Sequence, residues 1–138
     1  MQNLIKIHPA DFVEQSKILN NLPTKNIALI VIDTMGFHYR VSSKINYKGA
    51  TDLMIQQLDY LQNLSRQNKI PIIITNQVYQ SFKTNETKIV AGDILRNRAD
   101  LMIKLIKTPR TLTVEYPEKK DNKLLFEIRN EGIFKVEK

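Results

Sequence analysis

Ile27-Ala28-Leu29-Ile30-Val31-Ile32-Asp33-Thr34 is the stretch on which the fold turns. Six apolar residues run without alternation and stop at an aspartate. A strand with one wet face alternates apolar and polar residues. An unbroken short run predicts instead a strand buried on both faces, as in a parallel sheet covered by helices. The pattern returns as Ile70-Pro71-Ile72-Ile73-Ile74-Thr75-Asn76-Gln77, with Pro71 tolerable at a strand start. Both runs finish in polar groups, and in open α/β sheets ligands bind outside the carboxyl ends of the strands.

Between the two runs, residues 35–49 read as a loop and residues 52–68 as an amphipathic helix. Leu53, Leu58, Leu61 and Leu64 are expected to face inward, with Gln56, Gln57, Gln62 and Arg66 outward. Upstream, residues 2–7 form a strand candidate stopped by Pro9, and Asp11 caps a helix reaching about Asn20. Residues 22–26, with Pro23, break the chain. Downstream, residues 81–88 are a polar loop and residues 89–98 include a short helix. Strands follow over 101–107, 111–116 and 124–129, the last two flanking a charged turn at 117–123. Strand, helix, strand, helix, strand and then a run of strands is an α/β order with an antiparallel extension.

The 138 residues fit one domain, and 42% hydrophobic with 25% charged residues is ordinary for a globular chain. The absence of cysteine removes disulfides and thiolate metal sites and suits the reducing cytoplasm, the expected compartment. Two histidines, His8 and His38, do not make a histidine-rich metal cage. No apolar run approaches the roughly 20 residues that span a bilayer, so no membrane role is expected. The opening residues are too short and polar to read as a signal peptide. A net charge of +7 suits an anionic partner, usually nucleic acid, and equally describes a solvated lysine-rich surface.

Four constellations carry chemistry. Asp33, at the end of an apolar strand, is placed either to hold magnesium through bound water or to cap the following loop. Asn76 and Gln77 offer two amides that either sense a γ-phosphate or satisfy local backbone groups. From Asp33 to Asp52 no acidic residue intervenes, while Arg40, Lys44 and Lys48 interleave with Phe37, Tyr39 and Tyr47. Cations that neutralise phosphates and rings that stack on bases fit nucleic acid, and an ordinary exposed loop shows the same composition. Lys83 and Lys88 lie in a polar loop entering Val90-Ala91-Gly92-Asp93-Ile94-Leu95, where backbone amides at a helix start can meet an anion.

In this order the segments resemble the RecA/RadA recombinase core, and within that family the short archaeal form RadB. Asp33 and its strand look like the Walker B segment. Thr75-Asn76-Gln77-Val78 matches the family's Thr-Asn-Gln-Val stretch, where the glutamine links nucleotide state to DNA binding. Residues 90–95 resemble the segment that closes the second DNA-binding loop, with Ala91 where the family usually has a second glycine. Residues 99–105 look like the next core strand, and 107–133 like the terminal hairpins, with Lys119 and Lys120 near a basic turn.

The resemblance implies a single partial RecA-like (P-loop NTPase) core over 1–138, α/β, with a mainly parallel sheet, helices on both faces and a carboxyl-terminal antiparallel extension. It implies DNA repair and homologous recombination, with Asp33, Thr34, Asn76 and Gln77 toward ATP and Mg2+. It places Arg40, Lys44, Lys48, Lys83 and Lys88 toward DNA. None of Gly36, Gly49, Gly92 and Gly132 begins a Gly-x-x-x-x-Gly-Lys-Ser/Thr sequence, so the chain has no P-loop of its own and no assigned general base. ATP chemistry is therefore expected only with a P-loop-bearing amino-terminal segment or split-protein partner, without which sheet edges and apolar faces would lack cover. Self-association or contact with recombination proteins is a further expectation. The alternative is a non-enzymatic RecA-like module that binds DNA or protein.

Overall fold

The computed structural model describes residues 3–80, 87–117 and 123–136. Lys83 of the expected DNA-contacting set, most of the polar loop and Lys119 and Lys120 lie outside the described residues. The chain divides into two compact units, residues 1–95 and residues 96–138.

The first unit starts with helix α1 (Phe12–Asn20), capped by Asp11, whose Oδ1 accepts from the backbone of Val13 and Glu14 at 2.8 Å each. Strand β1 (Ile30–Ile32) follows, then helix α2 (Gly36–Ile45), helix α3 (Tyr47–Asn68) and strand β2 (Ile72–Ile74). β1 and β2 pair in parallel, Ile30 opposite Ile72 and Ile32 opposite Ile74. Strands β3 (Val78–Gln80) and β4 (Thr87–Ile89) form an antiparallel pair, and the short helix α4 (Gly92–Arg96) comes next.

The core of this unit gathers Phe12 and Leu19 of α1, Met35, Tyr39 of α2, and Met54, Leu58 and Leu61 of α3. Each such side chain stabilises by about 1.5–3 kcal/mol on leaving water. Ile32, Ile72 and Ile74 pack against this core, whereas Val31 and Ile73, opposite one another on the other side, are 55% and 52% exposed. The expectation of burial on both faces thus holds for one side of the pair. α3 ends where Lys69 takes a left-handed φ of 54° ahead of Pro71.

Three sequence expectations are corrected here. Residues 3–7 form no strand, and Leu4, Ile5 and Ile7 are exposed, because no described strand hydrogen-bonds to them. The expected loop over 35–49 is mostly α2 and the first turn of α3, broken only at Asn46. Asn46 caps α3 by accepting from the Gly49 backbone at 2.9 Å; a Cβ on Gly49 would stand 2.5 Å from the Asn46 amide nitrogen. Gln57, expected outside, is 1% exposed, while Gln56 and Arg66 do face out.

The second unit is a four-stranded antiparallel meander of β5 (Met102–Lys107), β6 (Arg110–Tyr116), β7 (Lys123–Arg129) and β8 (Gly132–Lys135). It realises the expected antiparallel extension. Among the described residues no helix is long and apolar enough to cross a membrane.

Candidate functional site at the strand ends

β1 and β2 end side by side, and their polar residues interlock. The Thr75 backbone N–H donates to the Ile32 carbonyl at 3.0 Å, and the Met35 N–H donates to the Thr75 carbonyl at 3.2 Å. The Thr75 hydroxyl donates to Asp33 Oδ1 at 2.5 Å, fixing an otherwise exposed carboxylate. The Asp33–Thr34 peptide bond is cis. Met35, fully buried, anchors this turn, and the Gln15 amide donates to its sulfur at 3.4 Å and to Gln57 Oε1 at 2.8 Å. Gln57 donates in turn to the Phe12 carbonyl at 3.4 Å. A buried amide pair between α1 and α3 therefore sets the height of the Asp33 turn.

Asn76 reaches two neighbours. Its Nδ2 donates to the Val90 carbonyl at 2.6 Å, and the Val90 N–H donates to the Gln77 carbonyl at 3.1 Å. Its Oδ1 lies against Gly36, where a Cβ would approach to 2.3 Å. One side chain thus meets both the start of α2 and the exit of the β3–β4 pair, and only glycine leaves room at the α2 start. Thr34 Oγ1, Asn76 Oδ1 and Gln77 Oε1 are buried without a hydrogen-bond partner in the structure. Buried oxygens without donors are costly, about 1–3 kcal/mol each, and mark a place that suits a polar ligand.

The structure gathers Asp33, Thr34, Asn76 and Gln77 of the expected set into one cluster at the strand ends. Arg40 and Lys44 are four residues apart on α2, on one exposed side of the helix, and Lys48 is exposed in the first turn of α3. Phe37, Val41, Ile45 and Tyr47 are exposed among them, with the Phe37 ring edge-on to His38 at 5.1 Å. Tyr39 is not part of this surface. It is buried, edge-on to Phe12 at 5.9 Å, with its hydroxyl 3.3 Å from Thr51 Oγ1. Lys88 stands on β4 opposite the half-exposed Tyr79, a ring that the sequence reading passed over.

Two further residues escaped that reading. Gly36 looked like a loop glycine, and only the fold shows what it faces. Gln15 gave no signal except its position on the inner side of α1. Among the described residues no three acidic, histidine or cysteine side chains group as a metal site, so a cation here would rest on Asp33, water and the ligand's own oxygens.

Known proteins resemble this chain along most of its length. The sequence pattern of the Rad51 family matches residues 8–136. The DNA repair and recombination protein RadB of Thermococcus kodakarensis is 33% identical over 113 residues, covering 80% of this chain and 50% of its own. That of Methanococcus maripaludis is 33% identical over 141 residues, covering 96% and 64%. A crystal structure of the RadB recombinase superposes with a TM-score of 0.68 at 28% identity, covering 95% of this chain and 63% of that one. The chain spans about half to just under two thirds of the length of these relatives.

Proposed function

Because the chain belongs to the Rad51 family, we propose that it serves DNA repair and homologous recombination as the DNA-contacting part of a RecA-type, ATP-linked protein of the cytoplasm. The observation that carries this reading is the Asn76 side chain, which bonds the Val90 carbonyl and fills the space above Gly36. It ties the strand-end cluster to α2, with Arg40 and Lys44, and to the β3–β4 pair, with Lys88. A ligand that binds at Thr34, Asn76 and Gln77 changes the donors around those buried oxygens, and both segments feel the change.

In this reading Asp33 holds Mg2+ through bound water, and Thr34, Asn76 and Gln77 face the nucleotide. The residues present fit that assignment in part. An oriented carboxylate and three buried oxygens suit a hydrated cation and a polar ligand. When bound, ATP would supply the phosphoryl group, and a P-loop outside these 138 residues would be needed to cradle it. Arg40, Lys44, Lys48 and Lys88, with Lys83, neutralise DNA phosphates, while the exposed rings of Phe37 and Tyr47 offer stacking faces.

A second reading rests on the exposed cations Arg40, Lys44 and Lys48, which can meet an anion without nucleotide. Under it the chain is a non-enzymatic RecA-like module that binds DNA or a recombination protein. DNA affinity of the natively isolated protein, with and without Mg·ATP, separates the two. The ATP-linked reading expects a nucleotide-dependent shift of about 5–150-fold, lost in Gln77→Ala with nucleotide-free affinity unchanged. DNA binding that ignores nucleotide supports the module instead.

A further inference from the structure

Helix α2 starts without a side-chain cap. Its N-cap position is Met35, which makes no capping bond, where Ser, Thr, Asp or Asn usually stands. Met35 is held by other partners. Its N–H donates to the Thr75 carbonyl at 3.2 Å, and its sulfur accepts from the Gln15 amide at 3.4 Å. The same Gln15 nitrogen donates to Gln57 Oε1 at 2.8 Å, and Gln57 donates to the Phe12 carbonyl at 3.4 Å. Gln15, Met35 and Gln57 are all buried. One chain of buried bonds thus runs from α3 through α1 to the residue that joins the strand-end cluster to α2.

Stability alone gives no reason for two amides here. Leaving one buried partner without its bond is costly, but replacing both by apolar groups of like shape is close to neutral. What the amides add is direction. A satisfied polar network fixes one arrangement of its members, where apolar packing tolerates several. The members fixed here flank the site. Asp33 and Thr34 immediately precede Met35, and Gly36 starts α2. One turn along α2, the Tyr39 ring is edge-on to Phe12, whose carbonyl Gln57 bonds. The Tyr39 hydroxyl lies 3.3 Å from Thr51 Oγ1 of α3, and Arg40 follows on the exposed side.

We propose that Gln15 and Gln57 are positioning residues. They hold the turn of Asp33, Thr34 and Met35 together with α2 as one rigid unit, so that occupancy of the strand-end cluster is transmitted to the cations of α2. Neither reaches nucleotide or DNA; both act through Met35 and Phe12. The proposal rests on the functional reading above and names the internal part that links its two surfaces.

The double variant Gln15→Met/Gln57→Met removes both amides and keeps unbranched chains of like length. It is compared with the unmodified protein, each isolated natively from cells. The first readout is hydrogen exchange followed by mass spectrometry. A peptide spanning 33–38 is expected to exchange about 2–10-fold faster in the variant, with a peptide spanning 58–66 of α3 unchanged. The second readout is DNA affinity with and without Mg·ATP. Nucleotide-free affinity is expected to stay, while the nucleotide-dependent shift falls by about 2–30-fold. An equal rise in exchange over both peptides marks a pair that only stabilises the core and overturns the proposal. So does unchanged exchange at 33–38.

Met35→Leu is the second variant. It conserves volume, a swap that cores tolerate, and deletes the sulfur acceptor while Gln15 keeps Gln57. Both readouts are expected to move the same way by a smaller factor, and this variant decides should the double variant not fold. An unmodified protein whose DNA affinity ignores nucleotide sinks the ATP-linked reading alone, and exchange at 33–38 then decides the positioning. A nucleotide-dependent shift that is present and indifferent to both variants sinks the positioning alone.

Discussion

Gln57 shows what a single side chain contributes here. It sits at 1% exposure between the Gln15 amide and the Phe12 carbonyl, so truncation removes the stronger acceptor of a buried amide, which keeps only the Met35 sulfur, and one donor to the Phe12 carbonyl. Gln57→Ala should cost about 1–3 kcal/mol, read as a lower urea midpoint, while Gln56→Ala on the wet side should leave the midpoint nearly unchanged. Equal effects would show that the buried pair has no special weight. Ala91 is the converse case. Its φ of 52° lies in the left-handed region, where a Cβ is strained by about 1–2 kcal/mol. Ala91→Gly should therefore raise stability by about 1 kcal/mol, read as a higher urea midpoint, and a lowered midpoint would contradict the strain. The sequence marked Ala91 through the family pattern, which usually has glycine there. It mis-set Gln57, because helical spacing alone does not separate an amide on the boundary of the apolar stripe from one outside it.

At the scale of elements, helix α1 was legible to its ends, because Asp11 offers an oxygen that only a helix start uses in this way. The Glu14 backbone N–H holds the Asp11 carboxyl below its ordinary value of 3.8, against a smaller opposing effect of desolvation and with help from Val13. A carboxylate with a lowered folded pKa stabilises above the unfolded value, and that contribution is lost as pH falls through the folded pKa. Melting followed by helical dichroism should thus drop between neutral pH and pH below 3.8, and Asp11→Asn, which keeps an acceptor but not the charge, should show a smaller drop. A variant drop as large as that of the unmodified chain would remove Asp11 from the acid response. Helix α2 was illegible for a physical reason. Residues 35–49 read as one loop, yet Gly36 at the α2 start is required by Asn76 and Gly49 in α3 by the Asn46 cap. Missing the helix also hid the four-residue spacing that sets Arg40 and Lys44 on one side.

For the whole molecule, the order of segments was the strongest signal. A buried run ending in Asp33, a second ending in Asn76 and Gln77, and a terminal run of hairpins placed the chain in a RecA-like fold, which the RadB recombinase structure shares. The polar ends of β1 and β2 were legible because strand termini are where such sheets work. That apolar faces would lack cover was expected from the missing P-loop segment, but that Val31 and Ile73 lie on the uncovered side was not legible, because an apolar run reports what a residue prefers and not what covers it. The central claim is that α2 and the start of α3 form the phosphate-contacting surface. The measurement that tests it most directly is the salt dependence of DNA binding by the 138-residue chain and by Arg40→Ala/Lys44→Ala/Lys48→Ala. The account expects affinity to fall linearly on a log–log plot, with the variant's slope shallower by about 3, one for each phosphate contact removed. An unchanged slope, or no salt-sensitive binding by the unmodified chain, would contradict it.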